Sequence, residues 1–441
     1  MYKLSLYNFY LPFKDKVIYF NGISNVIFSM KEKEHQQVQA LFNDLISFEI
    51  NYNSVFNRFL MWGFIVEIDK DEIDVLRYKN RMEVFSNRKY KLVINPTLEC
   101  NFKCWYCYEK HPQGHMALEV MEKCKKHIQY MVKHERITSL ILDWFGGEPI
   151  LYFEEIIYPI GKYAKKICED YQIPFYHYIT TNASRIDLQM IKRMKEIGVN
   201  GFQITIDGDE KRHNQIRNEN GKSSFSAIIN NINLLCSELE NILITLRINY
   251  DDQTLSVSDL EKVYSMISPE NRKYIMVNFQ RVWQTIKPAL LENERRIYFT
   301  QLSKQMGFKT PQLVSAFNIG KTHKCYVDRI YHAEINYDGK VYRCTARDYS
   351  DKYMMGELLD NGEIKWNEEK VAKQYAKATF ENDMCLKCKY LPLCMGPCSQ
   401  KIIETPKDEF YRICFLNYAE VKPETVIIDY YEQKMDYLAK F

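Results

Sequence analysis

Hydrophobic positions from residue 91 onward alternate between short apolar runs and stretches with a helical period. The apolar runs predict six strands, at 91–100, 139–146, 174–181, 201–208, 242–250 and 273–283. Between them, apolar residues recur at helical spacing in segments such as 187–198, 225–239 and 257–267. Strands that alternate with helices predict a parallel sheet with right-handed crossovers. We therefore expect an α/β fold, namely a partial (β/α)6 TIM-type barrel that stays open because it has fewer than eight strands.

The segments on either side of this region have different patterns. In residues 1–85, short strands are predicted at 3–11, 16–20 and 25–30, and helices at 33–46, 53–62 and 70–83. Residues 286–320 are predicted to be mainly helical. Residues 321–414 are rich in cysteine, glycine and turns, have little apolar periodicity, and are followed by a last helix at 425–441. We therefore divide the chain into four segments, 1–88, 89–285, 286–320 and 321–441.

Composition and charge argue against several kinds of partner. The chain has 441 residues, which suggests two or three domains. Its formal net charge of +3 gives no electrostatic reason to expect a nucleic acid or an anionic membrane as a partner. No apolar run approaches the roughly 18 residues of a membrane span, and the first residues form a poor secretion signal. We therefore expect a cytoplasmic protein.

Thirteen cysteines are unusual in a reducing compartment, where clustered cysteines bind metals or do redox chemistry more often than they form disulfides. Cys100, Cys104 and Cys107 form a CX3CX2C triplet directly after the first predicted barrel strand. Active-site residues of such barrels lie at the carboxyl ends of the strands. Three thiolates can hold three corners of a 4Fe–4S cluster and leave the fourth iron open. The alternative is a zinc site completed by His111 or His115.

The triplet and the segments after the next strands resemble the radical S-adenosylmethionine (SAM) superfamily. The segment CNFKCWYC matches the superfamily signature CX3CXφC, with Tyr106 at the aromatic position. The following strand ends carry GGEP at 146–149, TTNA at 180–183 and TIDG at 205–208, which are similar to further motifs of the family. The resemblance implies that the three cysteines hold a 4Fe–4S cluster whose open iron binds SAM.

The same resemblance implies a set of cofactor contacts. These residues are Gly146, Gly147, Glu148, Asn182, Thr205 and Arg217. The glycines would let the backbone approach the ligand closely, and Glu148 would accept hydrogen bonds from the methionine ammonium group. Thr205 and Arg217 would help to hold the cofactor carboxylate. The family pattern S-x-D-G…H-D-x-x-R is not matched fully, because Thr205 replaces the serine and Asn214 follows His213 in place of the aspartate.

A second set of seven cysteines, in the pattern CX13GX4C…CX2CX5CX3C…C, resembles the SPASM domain. The resemblance implies two auxiliary 4Fe–4S clusters, the first held by Cys325, Cys344 and Cys398, the second by Cys385, Cys388, Cys394 and Cys414. Seven cysteines cannot supply eight ligands, so the first cluster would have an open iron or another ligand, such as His323 or a substrate thiolate. A zinc ribbon is the alternative, but seven thiolates at these spacings fit one or two tetrahedral sites poorly. The other three cysteines, Cys124, Cys168 and Cys236, are predicted core thiols.

These resemblances imply a radical SAM enzyme with three 4Fe–4S clusters and SAM as cofactors. Reductive cleavage of SAM, with an electron from a donor such as flavodoxin or ferredoxin, would give a 5′-deoxyadenosyl radical that abstracts hydrogen from a substrate. Segment 1–88 resembles the winged-helix recognition element of ribosomal-peptide maturases, which takes a leader peptide as an added strand. The expected reaction is therefore an oxidative modification of a ribosomally made precursor peptide, with a crosslink as the expected product.

Three alternatives stay open. Segment 1–88 could be a cap that stabilises the barrel and has no recognition role. The chain could be an anaerobic sulfatase-maturing enzyme that forms formylglycine, although such enzymes carry an aspartate directly after the cysteine of GX4C. Here Thr345 follows Cys344 and Asp348 comes only later. A non-catalytic iron–sulfur protein that binds peptides is the third alternative, and the set of Glu148, Asn182 and Thr205 argues against it.

Overall fold

Strands and helices cover most of the residues that this computed structural model describes, namely 1–251, 256–282, 284, 292–311, 317, 319–417, 419 and 421–438, without the side chains of 292–295. The strands are β1 (Tyr2–Leu4), β2 (Asn8–Phe13), β3 (Lys16–Asn21), β4 (Ile27–Lys31), β5 (Ile65–Glu67), β6 (Lys89–Ile94), β7 (Ser139–Trp144), β8 (Phe175–Thr181), β9 (Gly201–Ile206), β10 (Leu243–Tyr250), β11 (Ile275–Arg281), β12 (His332–Ile335), β13 (Lys340–Tyr342), β14 (Gly356–Leu358) and β15 (Ile364–Trp366). The α-helices are α1 (Glu32–Phe42), α2 (Leu45–Asn51), α3 (Asn53–Met61), α4 (Glu72–Ser86), α5 (Leu118–Lys133), α6 (Tyr158–Asp170), α7 (Leu188–Glu196), α8 (Glu210–Ile216), α9 (Phe225–Glu238), α10 (Val257–Ser265), α11 (Glu292–Gln305), α12 (Glu368–Tyr375), α13 (Asp383–Leu386), α14 (Leu391–Cys394), α15 (Ser399–Glu404) and α16 (Pro423–Leu438).

The chain forms two compact units, and the larger one, which we call the barrel unit, comprises Arg88–Pro311 and Tyr331–Ala372. In this unit β6 to β11 lie side by side in chain order, and each neighbouring pair is parallel. The connections contain α5, α6, α7, the pair α8 and α9, and α10 in turn. The predicted α/β fold with a central parallel sheet is confirmed. The predicted helical segment 286–320 lies partly outside the described residues, and its described part contains α11.

Burial explains why the central strands are almost uniformly apolar. Ile204 and Ile206 of β9 are fully buried, and so are Ile228 and Ile232 on the apolar face of α9. Strands that are covered by helices need apolar side chains on both faces, which gives short continuous runs and not an alternating pattern. Because the strands are parallel, their carboxyl ends meet at one edge of the sheet, where barrels of this type place functional side chains.

The barrel unit also contains a seventh parallel strand that the sequence pattern did not predict. β12 pairs with β6, and β13, β14 and β15 continue the sheet in antiparallel pairs. β12 has only four residues, and two of them are the buried polar residues His332 and Glu334. The two ring nitrogens of His332 lie 2.9 Å from the carbonyl oxygens of Lys91 and Arg343. A strand whose buried side chains are polar and hydrogen-bonded does not give an apolar run in the sequence, so the hydrophobic pattern does not reveal it.

The second unit, which we call the flanking unit, comprises Met1–Asn87, Gln312–Ile330 and Lys373–Phe441. β2, β3 and β4 form an antiparallel sheet in that order, and β1 pairs with β5. One core of this unit combines Tyr19 with aromatic residues of α1 to α3, such as Phe42 and Phe59. A second core packs β2 to β4 against α16, for example through Phe20 and Ile427. Predicted segment 321–441 is thus divided, because 331–372 belongs to the barrel unit.

The predicted elements of residues 1–85 are present, with local differences. The strand predicted at 3–11 is split into β1 and β2 by a turn in which the carboxylate of Glu72 accepts hydrogen bonds from Ser5 Oγ (2.5 Å) and Leu6 N (3.0 Å). The helix predicted at 33–46 ends at Phe42, because Asp44 begins α2 by accepting a hydrogen bond from Ser47 N. Among the helices of the described residues, none has the length and apolar character needed to cross a membrane.

Candidate active site at the carboxyl edge of the barrel sheet

The three cysteines predicted to hold the first cluster lie in the loop after β6 and line one cavity of the barrel unit. Cys100 and Cys104 are half-buried, whereas Cys107 is exposed. The loop is held by the buried ring of Phe102 and by a hydrogen bond of 3.0 Å from Cys107 N to Cys104 O. The cavity has about 960 Å³ of empty space when its open mouth is included.

Burial keeps these three side chains protonated in the absence of a metal. Burial raises the pKa of all three thiols, to about 12 for Cys100, where the nearby carboxylate of Glu148 adds to the effect. Without a cation, the three side chains are therefore neutral thiols near pH 7. Binding to iron requires thiolates and releases protons, because the metal supplies the positive charge that stabilises the anions. The donor set is thus suited to an iron–sulfur cluster.

The glycines after β7 allow two strand-end loops to pack closely. Gly146 and Gly147 have φ values of 81° and 51°. A Cβ atom on Gly146 would lie 2.8 Å from the side chain of Asn95, and one on Gly147 would overlap the carbonyl oxygen of Glu99. Glu148 N also donates to Glu99 O at 2.7 Å. The close contacts that require glycine at these positions are therefore made with the loop after β6. The close approach of the glycine backbone to a ligand stays a prediction.

Glu148 joins the loops after β7 and β8. Its side chain is 1% exposed and accepts hydrogen bonds from Thr181 Oγ1 and Asn182 N, both at 2.6 Å, and from Ile150 N at 3.3 Å. Burial raises the pKa of Glu148 to about 7, although these three hydrogen bonds and the charge of Arg217 oppose the shift. The carboxylate lines the cavity, but much of its hydrogen-bonding capacity is used within the protein.

Asn182, after β8, is fixed by the same cluster of loops. Its side-chain amide donates to Asn101 Oδ1 at 2.8 Å, and its Oδ1 accepts from Ser184 N at 2.9 Å. Asn101 directly follows Cys100, so the amide connects the β8 loop to the cysteine loop. Thr205, near the end of β9, is also buried and lines the cavity.

Arg217 and Asp207 form a buried ion pair with Tyr106 between the β9 region and the cysteine loop. Arg217 Nε lies 2.6 Å from Asp207 Oδ2 and 3.0 Å from the hydroxyl of Tyr106. That hydroxyl donates to the carboxylate of Asp207 (2.6 and 2.8 Å) and accepts from Asn249 Nδ2 at 2.9 Å. Arg247 Nε in turn donates to Asn249 Oδ1 at 2.9 Å. The hydroxyl group of Tyr106, the aromatic residue of the cysteine motif, therefore links the cysteine loop to Asp207 and Arg217.

The departure from the family motif at Asn214 has a structural explanation. Its Oδ1 accepts hydrogen bonds from Ser224 N (2.9 Å) and Phe225 N (3.1 Å), where α9 begins. A neutral amide supplies the acceptor that an aspartate would supply at this helix start. The neighbouring His213 is buried, its Nε2 lies 3.1 Å from Ser224 Oγ, and its Nδ1 accepts from Asp207 N at 3.3 Å. His213 thus contacts the Asp207 loop, and Asn214 holds the start of α9.

Sequence reasoning missed other residues of the cavity wall. Glu109 accepts a hydrogen bond of 2.7 Å from Gly147 N, and burial raises the pKa of its carboxyl group. Arg281, the last residue of β11, and Gln284 after this strand also line the cavity, and Gln284 donates to Tyr106 O. The position of Glu109, two residues after the last cysteine of the triplet, was the available signal. Gln284 gave no signal because it lies in no recognised motif.

Four cysteines of the second set line a single cavity in the flanking unit. They are Cys385, Cys388, Cys394 and Cys414. The other lining residues include Leu391, Pro397 and Phe415, and the wall is almost entirely apolar, with about 330 Å³ of empty space. These are the four cysteines assigned to the second auxiliary cluster, and four thiols in an apolar wall are a donor set that fits a 4Fe–4S cluster.

The cysteines predicted for the first auxiliary cluster are divided between the units. Cys325 and Cys398 belong to the flanking unit and Cys344 to the barrel unit, so this set stays a prediction. His323, a possible additional ligand, has its Nδ1 3.8 Å from Glu83 Oε1, and burial lowers its pKa. Asp328 Oδ2 fixes the turn at Cys325 by accepting hydrogen bonds from the backbone N–H groups of Lys324 (2.9 Å) and Cys325 (2.8 Å).

The remaining cysteines are core residues, as predicted. Cys124, Cys168 and Cys236 are buried in the core of the barrel unit. Among the described residues, no three His, Cys, Asp or Glu side chains form a closed metal-binding arrangement.

Comparison with known proteins gives a family for the central region. Residues 94–257 match the model of the Radical SAM superfamily. Fe-coproporphyrin III synthase of Methanosarcina barkeri is 25% identical over 206 residues, which are 45% of this chain and 47% of that protein. An uncharacterized protein of Synechocystis is 25% identical over 174 residues, 37% of this chain and 43% of that protein. The chain spans about half the length of these curated relatives.

Solved structures share the fold over a larger part of the chain. The structure of anSMEcpe with bound AdoMet has a TM-score of 0.55 at 20% identity and covers 75% of this chain and 96% of its own. Streptococcus suis SuiB bound to precursor peptide SuiA has a TM-score of 0.52 at 17% identity and covers 94% of this chain and 100% of its own. At these identities, the similarity establishes the fold alone.

Proposed function

The chain carries a radical SAM domain, and we propose that it is an enzyme that cleaves SAM reductively and oxidatively modifies a ribosomally made precursor peptide, most simply by crosslinking it. The observation that carries this proposal is the cavity at the carboxyl edge of the sheet. The cysteine loop, the glycine loop, Asn182, Thr205 and Arg217 come from separate strand ends and line the same space. Independent motifs that meet in one cavity support a shared ligand.

The residues of the cavity have distinct tasks in this proposal. A 4Fe–4S cluster held by Cys100, Cys104 and Cys107, when bound, supplies the electron that cleaves SAM. Arg217 offers its guanidinium to the cofactor carboxylate, and Asp207 with Tyr106 fixes its orientation. Glu148 keeps the β7 and β8 loops together, and the cavity wall limits access of water to the reacting atoms.

The cysteine-rich region supports two auxiliary clusters. The apolar cavity lined by Cys385, Cys388, Cys394 and Cys414 supports one four-iron site. Cys325, Cys344 and Cys398 are the proposed ligands of the other, with one position left for a further ligand. The auxiliary clusters would accept the electron that the substrate radical loses when it is oxidised. A reduced flavodoxin or ferredoxin would supply the electron for SAM cleavage.

Two features favour a peptide as the substrate. The similarity to SuiB, a structure solved with a precursor peptide, includes almost all of this chain, whereas that to anSMEcpe leaves a quarter unmatched. The flanking unit also contains a sheet with a strand edge that could accept an extended peptide. Addition of a strand to a sheet edge is a recurrent mode of peptide capture.

The register of this sheet indicates which edge is suitable. β2 and β4 are its outer strands. Asn21 N donates to Val26 O, so by the period of two the backbone groups of residues 27 and 29 point away from β3. Lys31 N also lies on this edge, but it donates to Glu34 Oε2 at 2.9 Å. On the opposite edge, Pro12 occupies an outward position and has no N–H to offer. We therefore assign the peptide to the edge of β4.

The substitution Ser29→Pro tests this assignment, because it removes an outward N–H from the β4 edge. With a precursor peptide as substrate, we expect peptide modification to fall about two- to tenfold, because one backbone hydrogen bond contributes about 0.5–1.5 kcal/mol. SAM cleavage without peptide should be unchanged. Deletion of residues 1–88 is unsuitable, because Phe9, Phe20 and Ile27 share a core with α16.

Ser29→Ala is the matched control, since it removes only the hydrogen bond of 2.7 Å between Ser29 Oγ and the Tyr431 hydroxyl. Mass spectrometry of the intact wild-type product should show the loss of one pair of hydrogens for each crosslink. Equal modification by the proline variant would refute peptide capture at β4. Conversion of a Cys or Ser peptide to formylglycine would instead support the sulfatase-maturing alternative.

A further inference from the structure

Lys324 occupies a special position among the cysteines of the flanking unit. It directly precedes Cys325, a predicted ligand of the first auxiliary cluster. Its Nζ lies 3.1 Å from the centre of the Phe415 ring. Phe415 directly follows Cys414 and forms part of the wall of the four-cysteine cavity. The ammonium group of Lys324 thus contacts a wall residue of the four-cysteine cavity.

The charge of Lys324 has no carboxylate counterpart in ion-pairing distance among the described residues. Asp328, four residues further along the chain, accepts hydrogen bonds at Oδ2 from the backbone N–H groups of Lys324 and Cys325. The lysine is half-buried. A half-buried cation is costly without a negative partner, and an aromatic ring offsets only part of that cost. The geometry therefore points to an anionic group close to the ammonium.

We propose that the ammonium group of Lys324 makes the second auxiliary cluster, the one assigned to Cys385, Cys388, Cys394 and Cys414, easier to reduce. The inference rests on the proposed function in one respect, which is the presence of this cluster. One-electron reduction makes a 4Fe–4S cluster more negative by one charge. A nearby cation stabilises the reduced form more than the oxidised form, and the reduction potential of a cluster depends on such charges.

Lys389 offers a matched control within the same unit. It directly follows Cys388, a predicted ligand of the second cluster, and its Nζ lies 5.0 Å from the ring centre of Phe9 and 5.4 Å from that of Tyr390. It is exposed, whereas Lys324 is half-buried. Water and salt screen an exposed charge, so this lysine should have little influence on a cluster.

The experiment is a redox titration of the full chain, reconstituted with iron and sulfide without oxygen and followed by electron paramagnetic resonance. In Lys324→Met, the ratio of reduced to oxidised auxiliary cluster at a fixed solution potential should fall about tenfold or more. Lys324→Arg should stay close to the wild type, and Lys389→Met should change the ratio by less than about twofold.

Iron analysis separates failure of this inference from failure of the proposed function. About four irons in the wild-type chain would mean that the auxiliary clusters are absent, which overturns the proposed function and this inference with it. About twelve irons together with equal ratios in wild type and Lys324→Met would overturn this inference alone. Loss of iron in Lys324→Met that Lys324→Arg prevents supports the role of the charge, whereas the same loss in both variants refutes it.

Discussion

The hydroxyl group of Tyr106 is the link whose removal tests the candidate active site most directly. It donates to Asp207 and accepts from Arg217 Nε (3.0 Å) and Asn249 Nδ2 (2.9 Å). The substitution Tyr106→Phe keeps the aromatic ring that the cysteine motif specifies and removes these three contacts. The direct pair of Arg217 and Asp207 at 2.6 Å remains.

The size of the effect follows from the contacts. A hydrogen bond to a carboxylate contributes about 1.5–3 kcal/mol, and a buried donor left without an acceptor costs about 1–3 kcal/mol. Arg217 continues to neutralise Asp207, and a water molecule can replace the lost partner of Asn249 at the cavity wall. We therefore expect the free energy that favours the ordered conformation of the cysteine loop to fall by about 2 kcal/mol. Cofactor binding requires that loop, so the apparent affinity for SAM should fall by up to about 30-fold.

The assay is equilibrium binding of SAM to the anaerobically reconstituted chain, together with iron analysis. Iron content should not change, because all three cysteines of the loop are retained. Tyr108→Phe is the control. Tyr108 lies in the same cysteine loop as Tyr106, but its hydroxyl group donates to Thr345 O at 2.8 Å and not to Asp207. Equal affinities of wild type and Tyr106→Phe, or an equal loss in both variants, would refute the role assigned to this hydroxyl.

Three further predictions follow from the same structure. Replacement of both Cys385 and Cys388 by Ala should lower iron from about twelve to about eight atoms per chain, and full iron content would contradict the second auxiliary site. Burial raises the pKa of Glu334 to about 8 from 4.5, so its contribution to stability is present below pH 4.5 and lost as pH rises through 8. The midpoint temperature of unfolding should therefore fall less between pH 6 and 9 in Glu334→Gln than in the wild type. Parallel curves of midpoint temperature against pH for the two proteins would disprove this. Asn214→Asp, which keeps the acceptor for Ser224 N, should leave SAM affinity within about twofold, whereas Asn214→Ala should reduce it.

The barrel strands could be predicted because burial on both faces gives each of them a continuous apolar run. The same reasoning located the candidate site, since parallel strands end at one edge and the motifs at 146–149 and 180–183 follow directly after strands. The strand β12 could not be found in this way. Its buried Glu334 accepts a hydrogen bond from Tyr349 at 2.6 Å, and this partner lies fifteen residues away in a region without periodicity.

The internal partners of the site residues were also beyond sequence reasoning. The motif pointed to Glu148 as a residue near the cofactor, but nothing in it indicated that Thr181 and Asn182 would satisfy its carboxylate. The aromatic position of the cysteine motif was recognised, whereas the bond from Tyr106 to Asp207 spans 101 residues. Such contacts depend on how loops from different strands meet, which spacing along the chain does not encode.

The shared core of β2 to β4 and α16 affects how the chain acquires its structure during synthesis. Phe9, Phe20 and Ile27 pack with Val426 and Ile427, and these partners are separated by about 400 residues. At about 5–20 residues per second, a ribosome takes about 20–80 s to make the intervening chain. The apolar face of the sheet therefore stays incompletely covered until α16 has been made, and transiently exposed apolar surface makes a folding chain prone to aggregation.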